Sequence, residues 1–151
     1  MKRGTWVLGV GALIAAGATA APAGAVDNWG PTNAYYKNNL VATGSGYFSN
    51  DRGQYAANRI KVTDRRNDGN TVYGKTQSQF LELCSPNSTA ATWCDDRQLS
   101  TPETTGTVEV WLRRPLHPQA EKARGVSQAC AQLGWPVPDA CSPAAYVTFS
   151  Y

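Results

Sequence analysis

Four cysteines constrain the fold of this 151-residue chain more than any other feature of its sequence. They are Cys84, Cys94, Cys130 and Cys141, and an even number of cysteines in a small exported chain predicts two disulfides. Of the three possible pairings we favour Cys84–Cys94 and Cys130–Cys141, because each closes a short interval rich in turn residues. On a chain-entropy estimate, each bond would raise the free energy of unfolding by roughly 3 kcal/mol.

A zinc site is the alternative use of four cysteines. Their spacings match no zinc-finger pattern, and the sequence has only one histidine, His117. We therefore expect two disulfides, with no metal and no cofactor.

Residues 1–25 have the pattern of a secretory signal peptide. Lys2 and Arg3 precede an apolar stretch from Trp6 to Ala20, and Ala23-Gly24-Ala25 supplies the small residues of a cleavage site. A transmembrane anchor is the alternative, but the stretch is shorter than the ~20 apolar residues that a span requires. The sequence thus predicts export and a secreted, extracellular product.

Residues 26–151 are then the mature chain, and their length predicts a single domain. Removal of Lys2 and Arg3 lowers the formal net charge from +3 to +1. So weak a charge excludes the strongly basic surface of a general nucleic-acid binder, and no other apolar run is long enough to span a membrane. The sequence contains 5 Trp, 7 Tyr and 3 Phe, so aromatic side chains are expected to supply much of the core. We expect a monomer.

Alternating polar and apolar residues predict a mainly β fold. Residues 59–63 and 107–113 alternate as half-buried strands do, and residues 145–151 are predicted to form a final strand. The Asp68-Gly69 pair favours a turn, so residues 59–63 and 71–83 are predicted to form a β-hairpin. We expect these strands to build a small β-sandwich-like domain.

Three segments depart from this pattern. Residues 26–46 are polar and predict an irregular arm, and residues 84–106 have no period and predict a loop. Residues 118–133 fit one α-helix in the C-terminal half, because Pro118 suits a first turn and Gly134 suits the position after a helix end. The apolar residues at helical spacing in this segment are Ala123, Val126, Cys130 and Leu133.

The stretch Gly44-Ser45-Gly46-Tyr47-Phe48 is followed by residues 59–64 and by Asp68-Gly69. These segments, about 30 residues in all, resemble small secreted actinobacterial proteins of uncharacterised function. The resemblance implies an export signal and a hairpin within a β-sandwich, and it implies no activity and no catalytic residue. It does not extend to the C-terminal half that carries the cysteines.

No motif in the sequence indicates a catalytic site, so a non-catalytic protein is favoured over an enzyme. His117 has no nucleophile motif beside it, so it is interpreted as a surface residue at the start of the predicted helix. Bridged cysteines leave no thiol for nucleophilic catalysis. The carboxylates that could serve a hydrolase are Glu82, Asp95, Asp96, Glu103 and Glu109, and their spacing selects no pair.

Two tryptophans are better candidates for a binding site. Trp111 lies between Glu109 and Arg113 on the polar face of its strand, and Trp93 lies inside the interval that Cys84–Cys94 would close. An exposed tryptophan can stack on a sugar ring or anchor a protein partner. The alternative is that the helix or the N-terminal arm covers Trp111 and makes it part of the core.

The sequence therefore favours a secreted, non-catalytic binding protein whose partner is an extracellular polysaccharide or a protein. A disulfide-braced loop at residues 84–94 makes a secreted protease inhibitor the second hypothesis. A small carboxylate-dependent hydrolase is the third. Nucleic acid is not an expected partner, and neither is a membrane once the signal is removed.

Overall fold

The computed structural model describes residues 26–95 and 97–151, and the predicted signal peptide lies outside these residues. The described residues form ten β-strands and no helix. The strands are β1 (Val26–Tyr36), β2 (Asn39–Asp51), β3 (Tyr55–Asp64), β4 (Val72–Glu82), β5 (Thr92–Cys94), β6 (Gln98–Ser100), β7 (Thr107–Pro115), β8 (Lys122–Ala131), β9 (Ala140–Cys141) and β10 (Ala145–Ser150).

The strands pair into two antiparallel sheets that pack face to face as a β-sandwich. The first sheet has the order β1-β2-β3-β7. The second has the order β10-β8-β4-β5, with β6 also paired to β4 and β9 to β8. The predicted sandwich-like fold is confirmed, and the predicted helix is not.

Alternation along each strand separates a core face from an outer face. In β4, residues 72, 74, 76, 78 and 80 are buried and the residues between them are half-buried, as the period of two requires. The core holds few large side chains, and many inward positions carry alanine or glycine. A Cβ atom at Gly74 would lie 2.4 Å from Cδ1 of Ile60, and one at Gly125 would lie 2.9 Å from the Phe48 ring. Glycine at these positions therefore lets the two sheets approach closely.

The α-helix predicted for residues 118–133 is wrong, because this segment contains strand β8. Residues Ala123, Ser127 and Ala129 are buried and face the core, whereas Val126 lies on the outer face. The helical spacing of Ala123, Val126, Cys130 and Leu133 is coincidental, because the small residues between them, which carry the strand period of two, give little hydrophobic signal. Pairing of β8 with both β4 and β10 decides in favour of the strand.

The hairpin predicted from Asp68-Gly69 is also wrong. Residues 59–63 and 71–83 do form strands, but β3 pairs with β2 and β7 in the first sheet, whereas β4 belongs to the second sheet. Gly69 has the positive φ of 81° that the turn signal predicted. A turn signal specifies local backbone geometry and not the partner of the strand that follows it.

The N-terminal segment is not an irregular arm. Strands β1 and β2 form a hairpin across Lys37 and Asn38, which have φ of 47° and 63°. Positive φ at both central residues is the geometry that suits a two-residue hairpin turn. Residues 84–106 likewise contain the short strands β5 and β6.

Both predicted disulfide pairings are confirmed. Cys84–Cys94 links the end of β4 to β5, and Cys130–Cys141 links β8 to β9. Two disulfides indicate oxidising, extracellular surroundings. Within the described ranges, no helix has the length and hydropathy of a membrane span.

A buried polar network joins the two sheets at the centre of the core. Trp29 Nε1 donates a hydrogen bond of 2.9 Å to Asn58 Oδ1, and both residues belong to the first sheet. Asn58 Nδ2 donates to Thr76 Oγ1 at 2.8 Å and to Ser127 Oγ at 2.6 Å, both in the second sheet. The two hydroxyls lie 3.1 Å apart and share a further hydrogen bond. Asn58 is 0% exposed, so the network replaces all of its contact with water.

We expect Asn58→Leu to lower the free energy of unfolding by roughly 3 kcal/mol, because it leaves the Trp29 indole N–H without an acceptor and removes the amide that donates to the two hydroxyls. Urea denaturation followed by circular dichroism measures this. Asn33→Leu is the control, because Asn33 only accepts a bond from Thr43 near the surface, and it should cost less than about 1 kcal/mol. Equal losses in the two variants would contradict a central role for the network.

Candidate functional site

The two tryptophans predicted as ligand-binding residues lie on opposite outer faces of the sandwich. Trp111 is on β7 in the first sheet and is 38% exposed, so it is not part of the core. Trp93 is on β5 in the second sheet and is half-buried. A single flat ligand cannot contact both side chains, and each face must be considered separately.

The outer face of the first sheet, here the first face, has an aromatic row whose arginines are paired with carboxylates, and Lys61 on β3 is a further cation. The rings of Tyr47 and Trp111 meet edge to face with centroids 5.1 Å apart, and the Arg113 guanidinium lies 4.9 Å from the Trp111 ring centre. Arg59 forms an ion pair with Glu109. Arg113 forms another with Asp51 at 2.9 Å. Each carboxylate on this face thus neutralises a neighbouring arginine.

A groove of about 290 Å³ opens on the first face where β1 leaves β2. The pairing of β1 with β2 shifts register between Trp29 and Thr32, which leaves Gly30 and Pro31 outside the ladder. The groove is lined by Pro31, Ser45, Tyr47, Arg59, Lys61 and Glu109, and Trp29, which is 5% exposed, adds little surface to it. Irregularities of this kind commonly occur beside binding sites.

The outer face of the second sheet, here the cationic face, carries positive charge on its strands, and Asp139 from the loop before β9 accepts a hydrogen bond from the outward Tyr73 near the start of β4. Its cations are Lys75 on β4 and Lys122 and Arg124 on β8. No outward residue of the described strands β4, β5, β6, β8 and β10 is Asp or Glu. The remaining outward residues include Gln77, Gln79, Gln98, Gln128, Trp93 and Tyr146.

Arg124 is the centre of the cationic face. Its Nε and Nη2 atoms donate hydrogen bonds of 2.9 Å and 2.5 Å to Gln79 Oε1 on the neighbouring strand. Its guanidinium lies 4.4 Å from the ring centre of Trp93 and 5.5 Å from that of Tyr146. Tyr146 is 64% exposed. The face therefore presents a cation between two aromatic rings, held in place by an amide.

His117 lies in a cluster of charged side chains at one end of the sandwich. Its ring stacks on Phe80 with centroids 3.9 Å apart. Its Nδ1 atom is 2.8 Å from Glu82 Oε1, and its Nε2 atom is 3.5 Å from Asp95 Oδ2. Asp95 also accepts a hydrogen bond from Arg114. The predicted surface histidine at a helix start is thus a partly buried residue that joins the end of β4 to the segment after β5.

The geometry of this cluster favours a structural role. Both ring nitrogens of His117 face carboxylate oxygens, so neither points at a nucleophile or at a site for substrate. Glu82 and Asp95, two of the carboxylates considered for a hydrolase, are occupied by His117 and Arg114. Among the described residues, no group of three or more potential ligands is arranged to hold a metal ion.

The loop between β8 and β9 carries the most exposed aromatic side chain of the described residues. Trp135 is 97% exposed, and Val137 beside it is 37% exposed. At the base of the loop, Tyr73 donates a hydrogen bond of 2.6 Å to Asp139. Burial, this hydrogen bond and nearby negative charge together raise the pKa of Tyr73 to about 12, so the phenol stays a donor at neutral pH.

Sequence reasoning missed Arg124, Tyr146 and Trp135. Arg124 was placed on the predicted helix, which concealed its outward position on a strand. Tyr146 could have been recognised as an outward residue, because the alternation of residues 145–151 places it on the face of the strand opposite to Val147 and Phe149. Trp135 stands between Gly134 and Pro136, and no periodic pattern covers that segment.

Comparison of the chain with models of protein families, with curated protein sequences and with solved structures finds no match. The resemblance to small secreted actinobacterial proteins stays a prediction.

We expect the His117 cluster to make stability depend on pH at the acid end. The hydrogen bond from Arg114 holds the pKa of Asp95 below its ordinary value of 3.8, and the backbone N–H of Arg97 adds to this effect. A carboxylate whose pKa is lowered by folding stabilises the fold above its unfolded pKa, and the contribution is lost as the pH falls through the folded pKa. Asp95→Asn should therefore cost about 1–2 kcal/mol at pH 7.

Urea denaturation at a series of pH values measures the free energy of unfolding of both proteins. The difference in this free energy between the wild type and Asp95→Asn should shrink as the pH falls below 3.8. Asn is a suitable replacement because Asp95 has a φ of 56°, a conformation that Asn tolerates. An undiminished difference at the lowest pH where the protein folds would contradict this assignment.

Proposed function

We propose that the protein is a secreted, non-catalytic binding module whose ligand is an acidic polysaccharide bound on the cationic face. The observation that carries this proposal is the absence of carboxylates from the outward residues of the described second-sheet strands. The first face differs, because its arginines are paired with Glu109 and Asp51.

Charge supports an anionic ligand. Lys75 and Lys122 have no ion pair within the described part of the chain, and Arg124 is bonded only to the neutral Gln79 among its outward neighbours. Uncompensated positive charge on one face raises the local concentration of anions and accelerates their association. Binding of this kind weakens as salt is added.

Shape and chemistry support a polysaccharide. A sheet face is broad and nearly flat, and β4 with its 11 residues extends roughly 35 Å, long enough for several sugar units. The rings of Trp93 and Tyr146 offer apolar surface against which sugar rings can pack. Glutamine amides both donate and accept hydrogen bonds, which suits hydroxyl groups.

Two other functions expected from the sequence have less support. Residues 84–94 are closed by a disulfide, as a protease inhibitor loop requires, but β5 within them pairs with β4 and its Trp93 contacts Arg124. A hydrolase would need free carboxylates, and Glu82 and Asp95 are paired with other side chains.

Affinity electrophoresis in gels that contain carboxymethylcellulose or hydroxyethylcellulose tests the proposal. The two polymers share a backbone and differ in charge, so we expect retardation by the first and little by the second. Arg124→Gln and the Lys75→Gln/Lys122→Gln pair should each weaken binding by about tenfold or more. Trp93→Ala should weaken it as well.

Trp111→Ala is the matched control, because it removes an exposed tryptophan from the opposite sheet. It should leave the retardation unchanged. Equal retardation by both polymers, or equal losses in Trp93→Ala and Trp111→Ala, would contradict the assignment to the cationic face.

A further inference from the structure

Trp135 is a large apolar side chain with almost no contact to its own chain. It is 97% exposed, although a tryptophan in a small domain is ordinarily packed on one side at least. The loop that carries it is closed at its base by Cys130–Cys141 and by pairing of β8 with β9. An exposed tryptophan on such a closed loop is well placed to insert into a pocket of a partner.

The backbone of this loop has few N–H groups that burial would leave without a hydrogen bond. The Val137 N–H donates a hydrogen bond of 2.9 Å to the Gly134 carbonyl, and Pro136 and Pro138 have no N–H to leave unsatisfied. Asp139 is held by Tyr73 at 2.6 Å. An ordered loop with few free donors loses little conformational entropy and little hydration when it enters an apolar slot.

Negative charge surrounds the base of the loop. Asp139 and Glu103 each have no ion pair within the described ranges. Glu103 accepts hydrogen bonds from Thr71 at 3.0 Å and from Gln132, the first residue after β8, at 3.3 Å. A partner for Trp135 therefore needs an apolar slot with positive charge at its rim.

The groove on the first face has these properties. It measures about 290 Å³, which is room for one indole ring, and its walls include Pro31 and Tyr47. Lys61 and Arg59 line it together with Glu109, so its rim has a net positive charge. Lys61 is without an ion pair in the described part of the molecule.

We propose that Trp135 of one copy of this chain inserts into the groove on the first face of a second copy. Indole against Pro31 and Tyr47 supplies the apolar contact, and Asp139 and Glu103 approach Lys61. The two surfaces are different parts of the molecule, so the contact is heterologous: the copy that inserts its loop keeps a free groove, and the copy that receives it keeps a free loop. Association then continues beyond the dimer as the concentration rises.

This proposal is independent of polysaccharide binding, which uses the opposite sheet. It departs from the expectation of a monomer. The contact is small, so it belongs to the weak and transient class of interfaces.

Sedimentation velocity over a wide concentration range, together with tryptophan fluorescence, tests the proposal on the mature chain. We expect the weight-average sedimentation coefficient to rise with concentration and the emission maximum to move to shorter wavelength as Trp135 leaves water. Trp135→Ala should weaken association by about thirtyfold or more, since it removes the anchor. This variant loses no internal packing, so its fold is preserved.

Ser45→Phe fills the groove from the outer face and should also abolish association. Mixing it with Trp135→Ala is the decisive experiment, because one variant retains the loop and the other retains the groove. The mixture should form a 1:1 dimer and nothing larger. Tyr35→Ala, which removes another exposed aromatic residue, is the control and should associate as the wild type does.

Three results would overturn the proposal. The first is a wild-type chain that stays monomeric at every concentration, which would leave Trp135 to a different protein or to a lipid surface. The second is undiminished association of Trp135→Ala. The third is failure of the two variants to complement one another, which would mean that the loop does not enter the groove.

Discussion

The hydrogen-bond network around Asn58 is the constraint on which the rest of the structure depends. It connects one buried amide in the first sheet to two hydroxyls in the second, and it gives the Trp29 indole N–H its acceptor. Apolar contacts between the sheets tolerate small displacements, whereas these bonds require defined distances. A core made largely of small residues gains its specificity from such a polar centre.

The network also determines what the outside of the protein presents. A strand that slipped by one residue would move its inward side chains to the outer face. Asn58 and Thr76 hold β3 and β4 against such a slip, because each would lose its partner inside the core. The cationic face is thus positioned by interactions on the other side of the same sheet.

The predictable parts of this fold are those in which local pattern and tertiary structure agree. Residues 107–113 and 145–151 alternate strictly, and both were predicted as strands. The two disulfides followed from short intervals between cysteines. Strand β8 was missed because Ala123 and its inward neighbours are small enough to suit either a helix or a strand. The partner of β3 was missed because pairing between distant segments leaves no local signal.

The candidate site was predictable only in part for the same reason. Trp93 and Trp111 could be recognised as candidate binding residues, but their separation onto opposite faces depends on which sheet each strand joins. The absence of carboxylates from the outward strand residues of one sheet becomes visible only when five strands are assembled. Arg124 can be recognised as a candidate binding residue only through its contacts with Trp93 and Tyr146, which lie on other strands.

The most direct test of the account is an NMR titration of the mature chain with an oligogalacturonate. Binding to the cationic face predicts shifts of the Arg124 Nε–H, the Trp93 indole N–H and the side-chain amides of Gln77 and Gln79. The Trp111 indole N–H should not move. Shifts confined to β2, β3 and β7, or no shifts at low salt, would contradict the account.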